Sequence, residues 1–407
     1  MHILFITDNF PPETNAPASR TYEHSLEWVR LGHQVTVLTC APNFPKGRVF
    51  AGYTNKIWQK EIINGIKVIR VWTFITANEG LIKRSLDHAS FMFSSFFASF
   101  FIKDIDVIIG TSPQFFTAIS AYLTSLVKRR PWVFELRDIW PESIKAVGVL
   151  RNSKVLLLLE KFELFLYRKS NKVITVTYSF KKNLVSRGVD KNKISVITNG
   201  VDMSKFFPLD KDPCLLEKFN LSEKFVVGYI GTHGMAHALE TIIEAAEKFQ
   251  NTQLINKIAF LFIGDGAEKK KLIEFTNSKS LRNVIFINSV PKHEIQKFWS
   301  LLDLSVIHLK KTSLFKTVIP SKLFECMGMG LPVLHGVEGE SAEIVKRFEM
   351  GLTFEPETKD DLFKKILLLA NSPEMLMKLQ ANSLKASKHF ERKKLAKEMV
   401  DKINLVL

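Results

Sequence analysis

Cysteine is scarce in this chain of 407 residues: Cys40, Cys214 and Cys326 stand far apart and at no metal-ligand spacing. Neither a disulfide framework nor a zinc site is expected from them, and they read as the thiols of a reducing, cytoplasmic compartment. Long apolar runs are missing as well. Phe91 to Ile102 and Val155 to Leu159 invite a membrane reading, but both fall short of the roughly 18 continuous residues that span a bilayer. The opening Met1-His2-Ile3-Leu4-Phe5-Ile6-Thr7-Asp8 lacks the basic start and apolar stretch of a secretory signal and reads as a first strand. Acidic residues are in deficit, 41 against 57 lysines and arginines, which leaves a formal net charge of +16. A field of that size attracts anionic partners without naming one. No basic stripe interleaved with stacking aromatics and no nucleic-acid module accompanies it, so no nucleic-acid partner is expected. Repeats of 20–50 residues and low-complexity segments are absent too.

With 46% hydrophobic and 24% charged residues, the chain has the balance of a globular enzyme and, at about 150 residues per domain, the length of two domains. Short apolar runs ending in polar turns occur at Ile3 to Ile6, Val35 to Leu38, Val68 to Val71, Val107 to Ile109, Trp132 to Phe134, Val173 to Val176 and Ile194 to Ile197. Stretches of helical periodicity separate them, the pattern of parallel strands buried on both faces. After a polar gap around Leu209 to Glu223 the series resumes at Phe225 to Ile230, Ala259 to Ile263, Val284 to Ile287, Leu304 to Ile307 and Pro332 to Leu334. The expected fold class is α/β, two doubly wound, Rossmann-like domains in tandem, with a linker near Asn199 to Asp212. From about Asn371 the chain reads as helix throughout, its basic run Lys385 to Lys397 forming a solvated face.

Open α/β sheets hold ligands at the carboxyl ends of their strands, so each strand-to-helix turn is a candidate site. The first, Asp8 to Arg20, is rich in proline and small residues; its amides and Arg20 can face an anion, or it is a plain surface loop. At Phe134-Glu135-Leu136-Arg137-Asp138-Ile139-Trp140-Pro141-Glu142, Asp138 can orient a hydroxyl nucleophile and Arg137 can clamp a phosphate. The alternative there is a buried Arg-Asp pair that anchors the turn. Gly228-Tyr229-Ile230-Gly231-Thr232-His233-Gly234 precedes a helix expected over Ala238 to Phe249, and its glycines allow close approach of a diphosphate. Gly264-Asp265-Gly266 is explained by a tight turn alone. In Pro320-Ser321-Lys322-Leu323-Phe324-Glu325-Cys326-Met327-Gly328-Met329-Gly330, Ser321 is expected to cap a helix whose first amides stay free for phosphate oxygens, and Gly330 to end it. Glu325, about one turn in, can accept two hydrogen bonds from a ribose diol, although the helix dipole by itself also favours an acid near that end.

Taken in order, Leu31-Gly32-His33-Gln34-Val35-Thr36-Val37, Val196-Ile197-Thr198-Asn199-Gly200-Val201-Asp202 with Phe207-Pro208, Ile263-Gly264-Asp265-Gly266, Asp303 and the Glu325 helix resemble the GT-B glycosyltransferases of the retaining family numbered four. Asn9-Phe10-Pro11-Pro12-Glu13, the loop Asn15 to Arg20 and Arg137 to Ser143 look like bacterial O-antigen and capsule transferases assigned to N-acetyl-L-fucosamine. The resemblance implies an acceptor-binding domain over 1–200 and a nucleotide-sugar-binding domain over 201–385, facing a cleft, with a helix over 386–407 returning to the first. It gives Glu325 the ribose, the amides of Ser321, Lys322 and Leu323 the diphosphate, Val290 with its neighbours Ser289 and Pro291 the base, and Asn15 and Ala16 the donor phosphates across the cleft. Gly231, Thr232, His237 and Arg20 complete the donor-binding set. Two departures stand out: Thr317 occupies the place of a second family glutamate, and Thr232 and His237 the places of a family arginine and lysine. Lys322, Lys316 and Arg137 are the candidates to compensate.

Fixed amides and a cation can stabilise a leaving diphosphate without metal, and no acidic pair stands at metal-binding spacing, so no metal or cofactor is expected. Asp138 and Arg137 are the catalytic candidates. Lys83 and Arg84 followed by Phe91 to Ile102 compose an interfacial anchor or, alternatively, a buried helix. As an anchor it implies a protein peripheral to the cytoplasmic face of the inner membrane, on an anionic leaflet, taking a polyprenyl-diphosphate-linked sugar as acceptor in O-antigen or capsule assembly. A nucleotide-sugar 2-epimerase of the same architecture and a non-catalytic nucleotide-sugar-binding protein are the remaining alternatives.

Overall fold

The computed structural model describes residues 1–44, 46–76, 81–112, 114–139 and 153–407. They form two compact units, Met1–Thr198 with Arg392–Leu407, and Asn199–Glu391.

The first unit is built on strands β1 (His2–Ile6), β2 (Gln34–Cys40), β3 (Trp58–Ile63), β4 (Ile66–Val71), β5 (Val107–Thr111), β6 (Trp132–Leu136), β7 (Lys172–Thr175) and β8 (Ile194–Val196), in the order β3-β4-β2-β1-β5-β6-β7-β8. All neighbours are parallel except β3 and β4. Ile3 pairs with Val35 on one side and Val107 on the other, and the run Ile3 to Ile6 is buried because helices cover both faces. On one face Trp28, Leu395, Met399 and Ile403 cover Phe5 and Val37, and the Trp28 indole donates to the Ala396 carbonyl at 2.8 Å. On the other, Phe91, Ala98, Phe115, Leu166 and Phe180 cover Leu4, Ile6 and Phe134.

Strand β3 is absent from the expected apolar runs. It is an antiparallel edge strand whose charges Lys60 and Glu61 face solvent or Arg70. The turn into β4 uses Asn64 at φ 48° and Gly65 at φ 84°, the pairing that two-residue hairpins demand.

The second unit is wholly parallel, with β9 (Phe225–Ile230), β10 (Ile258–Ile263), β11 (Val284–Ile287), β12 (Leu304–His308), β13 (Val333–Gly336) and β14 (Gly351–Thr353) in the order β11-β10-β9-β12-β13-β14. Here too β14 escapes a search for apolar runs, being three residues long. The helix after β9 spans Glu240–Lys248, not Ala238 to Phe249. A short 3₁₀ turn, Met235–His237, and Ala238 at φ 42° come first.

The C-terminal stretch is not one helix. Pro373–Ser387 lies on the second unit and Arg392–Asn404 on the first, so the basic run 385–397 is split. The division falls after Glu391 rather than at 385, because the Val201 N–H donates to the Phe390 carbonyl at 2.9 Å and holds that segment to the second unit. Lys393, Lys394 and Lys397 remain exposed.

Strand order reverses between β1 and β5 in the first unit and between β9 and β12 in the second. Ligand crevices of doubly wound sheets open at the carboxyl ends of such pairs.

Candidate active site

In the second unit the helix Ser321–Met329 begins at the switch point beside β9. Ser321 is not its cap: Pro320 occupies that position and offers no side-chain acceptor. The Leu323 amide is already spent on the Pro320 carbonyl at 3.0 Å. Those of Ser321 and Lys322 have no acceptor among the described residues, so two donors rather than three point out of the helix end. Gly330 at φ 65° closes the helix, and a side chain there would run into Leu384.

Glu325, half-buried on this helix, has its carboxyl pushed above the ordinary range by burial, with Lys292, Lys322 and the Trp299 indole holding it back. Lys322 is the second cation beside Glu325. Its ammonium donates to the Tyr229 hydroxyl at 2.6 Å and lies 3.9 Å from the centre of that ring. Burial brings its pKa down to about 7, against the opposing pull of Glu325 and Cys326. The lysine fits there because residue 231 is glycine: a Cβ at Gly231, φ 142°, would lie 2.3 Å from the Lys322 Cε. Gly264 and Gly266 have a different reason, since each presses on backbone of the Gly231 to His233 turn, which a Cβ would meet at 1.9 and 2.4 Å respectively.

The turn after β9 supplies no cation of its own. Thr232 is exposed and uncharged. His237 is held neutral by burial and by Lys322, its pKa lowered to about 3, and buried His233 is lowered by burial to about 4. His308 at the end of β12 is fixed as a neutral ring, one nitrogen 3.2 Å from the Ala238 carbonyl and the other accepting the Glu357 N–H at 2.9 Å. Lys316 is paired with Glu338 at 3.1 Å, and Thr317 turns its hydroxyl to the Leu314 carbonyl at 2.7 Å. Of the compensating cations, Lys322 is the one at the helix end. Val290 is half-buried beyond the carboxyl end of β11.

In the first unit the two arginines, both expected to face an anion, part ways. Arg20 is not available to a phosphate: it is 4% exposed, and its guanidinium donates to Glu135 at 2.8 Å, the Thr198 carbonyl at 2.9 Å and the Ile197 carbonyl at 3.1 Å. It ties the first helix to β6 and to the chain leaving β8. Arg20→Met would strand Glu135, 1% exposed, as a buried charge. The variant is expected to lose roughly 3 kcal/mol in urea unfolding. Arg137 is the opposite case. Its Nε and Nη1 are buried and have no hydrogen-bond partner among the described residues. Burial lowers its pKa to about 10, Glu135 and Asp8 opposing and Arg20 reinforcing the shift. The turn is anchored not by an Arg137–Asp138 pair but by Ser112, whose hydroxyl accepts the two backbone amides at 2.8 and 3.2 Å. Trp140 to Ser143 lie outside the described residues.

Asn15 is the cap of the first helix, its side chain accepting the Ala18 N–H at 2.9 Å and donating to Asn9 at 2.5 Å. Asn9 and Gln114 both donate to Asp8. Of the first-turn amides, Pro17 has none and Ala18 is satisfied, which leaves Ala16. Glu13 was missed as an individual residue. It is 4% exposed, one oxygen accepts the Asn43 and Phe44 amides at 2.8 Å each, and burial pushes its pKa up to about 7. Its signal in the sequence is an acid locked behind two prolines. Tyr229 and Trp299 had no sequence signal beyond apolarity.

Two tandem doubly wound units, one of them with a helix N-terminus, a carboxylate and a lysine at its switch point, define the GT-B class. Sucrose-phosphate synthase from Thermosynechococcus elongatus superposes on the whole chain with a TM-score of 0.77 at 15% identity, covering 98% of that protein. Anabaena HepE, solved with UDP and glucose, covers 99% of both chains with a TM-score of 0.71 at 16% identity. Residues 18–205 match the model of Glycosyltransferase Family 4 and residues 216–386 that of Glycosyl transferases group 1. The chain belongs to this family of glycosyltransferases and is an enzyme of that type. WcaI of Escherichia coli (strain K12), assigned by its name to colanic acid biosynthesis as a glycosyl transferase, is 27% identical over 81% of this chain and 82% of its own. WbjE of Pseudomonas aeruginosa, named as a glycosyltransferase, is 24% identical over 52% of each chain.

Proposed function

We propose that the protein moves a sugar from a nucleoside-diphosphate sugar, seated on the second unit, to a lipid-linked acceptor held by the first, in assembly of a cell-surface polysaccharide. One observation carries the donor half: the open amides of Ser321 and Lys322, the Lys322 ammonium and the Glu325 carboxylate converge on one helix end at the β9/β12 switch point. Glu325 takes the ribose hydroxyls, while the amides and Lys322 take the diphosphate. As the bond from the anomeric carbon to the diphosphate oxygen breaks, the leaving oxygen gains charge that these fixed donors stabilise. The acceptor hydroxyl oxygen bonds to the anomeric carbon and its proton passes to the departing diphosphate oxygen, with Asp138 as the group that orients the hydroxyl. Gly231 makes room for Lys322, and Thr232, His237 and Val290 complete the donor surroundings. The Asn15 cap and the Ala16 amide sit at the carboxyl end of β1 and serve a phosphate there.

The donor we favour is UDP-N-acetyl-L-fucosamine or a related UDP-sugar, on the strength of the Asn9 to Glu13 and Arg137 to Ser143 segments and of HepE's UDP. The names of WcaI and WbjE support a role in polysaccharide synthesis, with O-antigen or capsule as the product class. Incubating the protein with a panel of UDP-sugars and polyprenyl-diphosphate N-acetylglucosamine is expected to add one sugar mass to the lipid and release UDP. Release of UDP with no lipid product, or an altered sugar still on UDP, would refute transfer.

A lipid acceptor calls for a protein at the membrane surface, here the cytoplasmic face of the inner membrane. Among the described residues no helix is long and apolar enough to cross a bilayer. The helix Leu81–Ser99 is buried along Phe91, Ser95 and Ala98 but turns Phe93 and Phe97 outward, 56% and 60% exposed, with Phe101 beyond its end at 77%. Lys83, Arg84 and Lys103 are exposed on the same segment. An apolar stripe flanked by cations suits an anionic leaflet. The wild type is expected to sediment with phosphatidylglycerol vesicles and to be released by salt, and Phe97→Ser/Phe101→Ser to bind roughly tenfold more weakly. Equal partition of both proteins would remove the anchor.

A further inference from the structure

With the donor's diphosphate assigned to Lys322, the first unit is left with a guanidinium whose Nε and Nη1 have no hydrogen-bond partner among the described residues. We infer that Arg137 is the seat of the acceptor's own phosphate group, so that the enzyme reads the phosphate linker of its acceptor as well as the hydroxyl it glycosylates.

A guanidinium carries five donors in a fixed planar fork and stays charged at any physiological pH. Arg20 spends its fork on Glu135 and on two carbonyls. Arg137, at the carboxyl end of β6 and two strands along from β1 in the same sheet, has Nε and Nη1 buried and unpartnered among the described residues. Leaving such donors unsatisfied is costly for a fold, and native proteins retain the arrangement where a ligand completes it. Glu135 and Asp8 are near enough to act on its charge, yet neither pairs with its Nε or Nη1: Glu135 gives one oxygen to Arg20, its other oxygen has no hydrogen-bond partner among the described residues, and Asp8 accepts from Asn9 and Gln114. Ser112 fixes the backbone of residues 137 and 138 through one hydroxyl. The fork therefore stands on a rigid turn at the carboxyl end of β6, one strand from the β1/β5 switch point. Phosphate oxygens can accept from both donors, which lie on different edges of the guanidinium, and Asp138, the adjoining residue, is then set beside the sugar next to that phosphate.

This inference rests on the transfer reading but fails separately from it. Two acceptors carrying the same sugar are compared, one linked to the lipid through a diphosphate and one through an uncharged alkyl ether, with donor saturating. The wild type is expected to favour the diphosphate acceptor in kcat/KM. Arg137→Gln is expected to lose roughly 10- to 100-fold on it and less than about threefold on the ether, with the donor KM unchanged. Equal losses on both acceptors, or loss on neither, would overturn the assignment, while absence of any transfer by the wild type would strike the function and not this residue. A test needing no variant uses geranyl diphosphate on the wild type. Inhibition competitive with the acceptor is expected, and inhibition competitive with the donor alone would put the phosphate source on the nucleotide and overturn the proposal.

Discussion

Glu325→Ala is expected to lower kcat/KM for the nucleotide sugar by roughly 10³-fold, because a carboxylate that accepts two ribose hydroxyls contributes through two charge-assisted hydrogen bonds. Most of the loss should appear in KM, since the ribose is bound alike in ground and transition states. The same variant is expected to melt no lower than the wild type at pH 8. Burial pushes the Glu325 carboxyl above its unfolded value. Such a group favours the fold only while protonated, and that contribution is lost as pH rises through the folded pKa. Removing the ionised form in alkaline solution therefore relieves the fold while it damages binding, a separation that misfolding does not produce.

Lys322→Met is expected to cost roughly 10²- to 10³-fold, mainly in kcat, because the leaving diphosphate gains charge as the glycosidic bond breaks and this ammonium is aimed at the helix end where it leaves. Lys322 also predicts the pH profile. Burial brings it down to about 7, so in the free enzyme it is charged below that value and neutral above. kcat/KM for the donor, which reports the free enzyme, should be level on the acid side and fall about tenfold per unit above pH 7. Lys322→Arg should abolish the alkaline fall even where it lowers the rate, because a guanidinium remains charged. A profile flat to pH 9 in the wild type would show that another group carries the diphosphate. His237 and His308 do not replace it: both are held neutral well below this range.

Both sheets were legible in the sequence because a parallel strand buried on two faces reads as an unbroken apolar run, as Ile258 to Ile263 does. β3 was hidden by its charges and β14 by its brevity, although Asn64-Gly65 between Ile63 and Ile66 is a hairpin signal in plain view. The helix bearing Glu325 was legible for a local reason: proline, lysine, glutamate and glycine fall within one short stretch. What that local pattern could not tell is which amides remain open, since Pro320 rather than Ser321 sits at the cap. Which of Arg20 and Arg137 keeps unpartnered donors was out of reach for a different reason. Both follow apolar strands or turns and both are arginines; their difference is made by Ile197 and Thr198, some 178 residues from Arg20, which absorb one fork and not the other. Lys322 likewise has its pKa brought down by burial, in a tertiary setting where its ammonium donates to Tyr229, 93 residues away. Identity of the residue is local, whereas its free valence is set by tertiary packing.

Titration calorimetry of UDP against the wild type and Glu325→Ala, at pH 6.5 where Lys322 is charged, bears most directly on the seating of a nucleotide sugar at this helix end. Saturable binding by the wild type, weakened roughly 10³-fold in the variant, is the expected result; UDP held equally well by both proteins, or by neither, would contradict it.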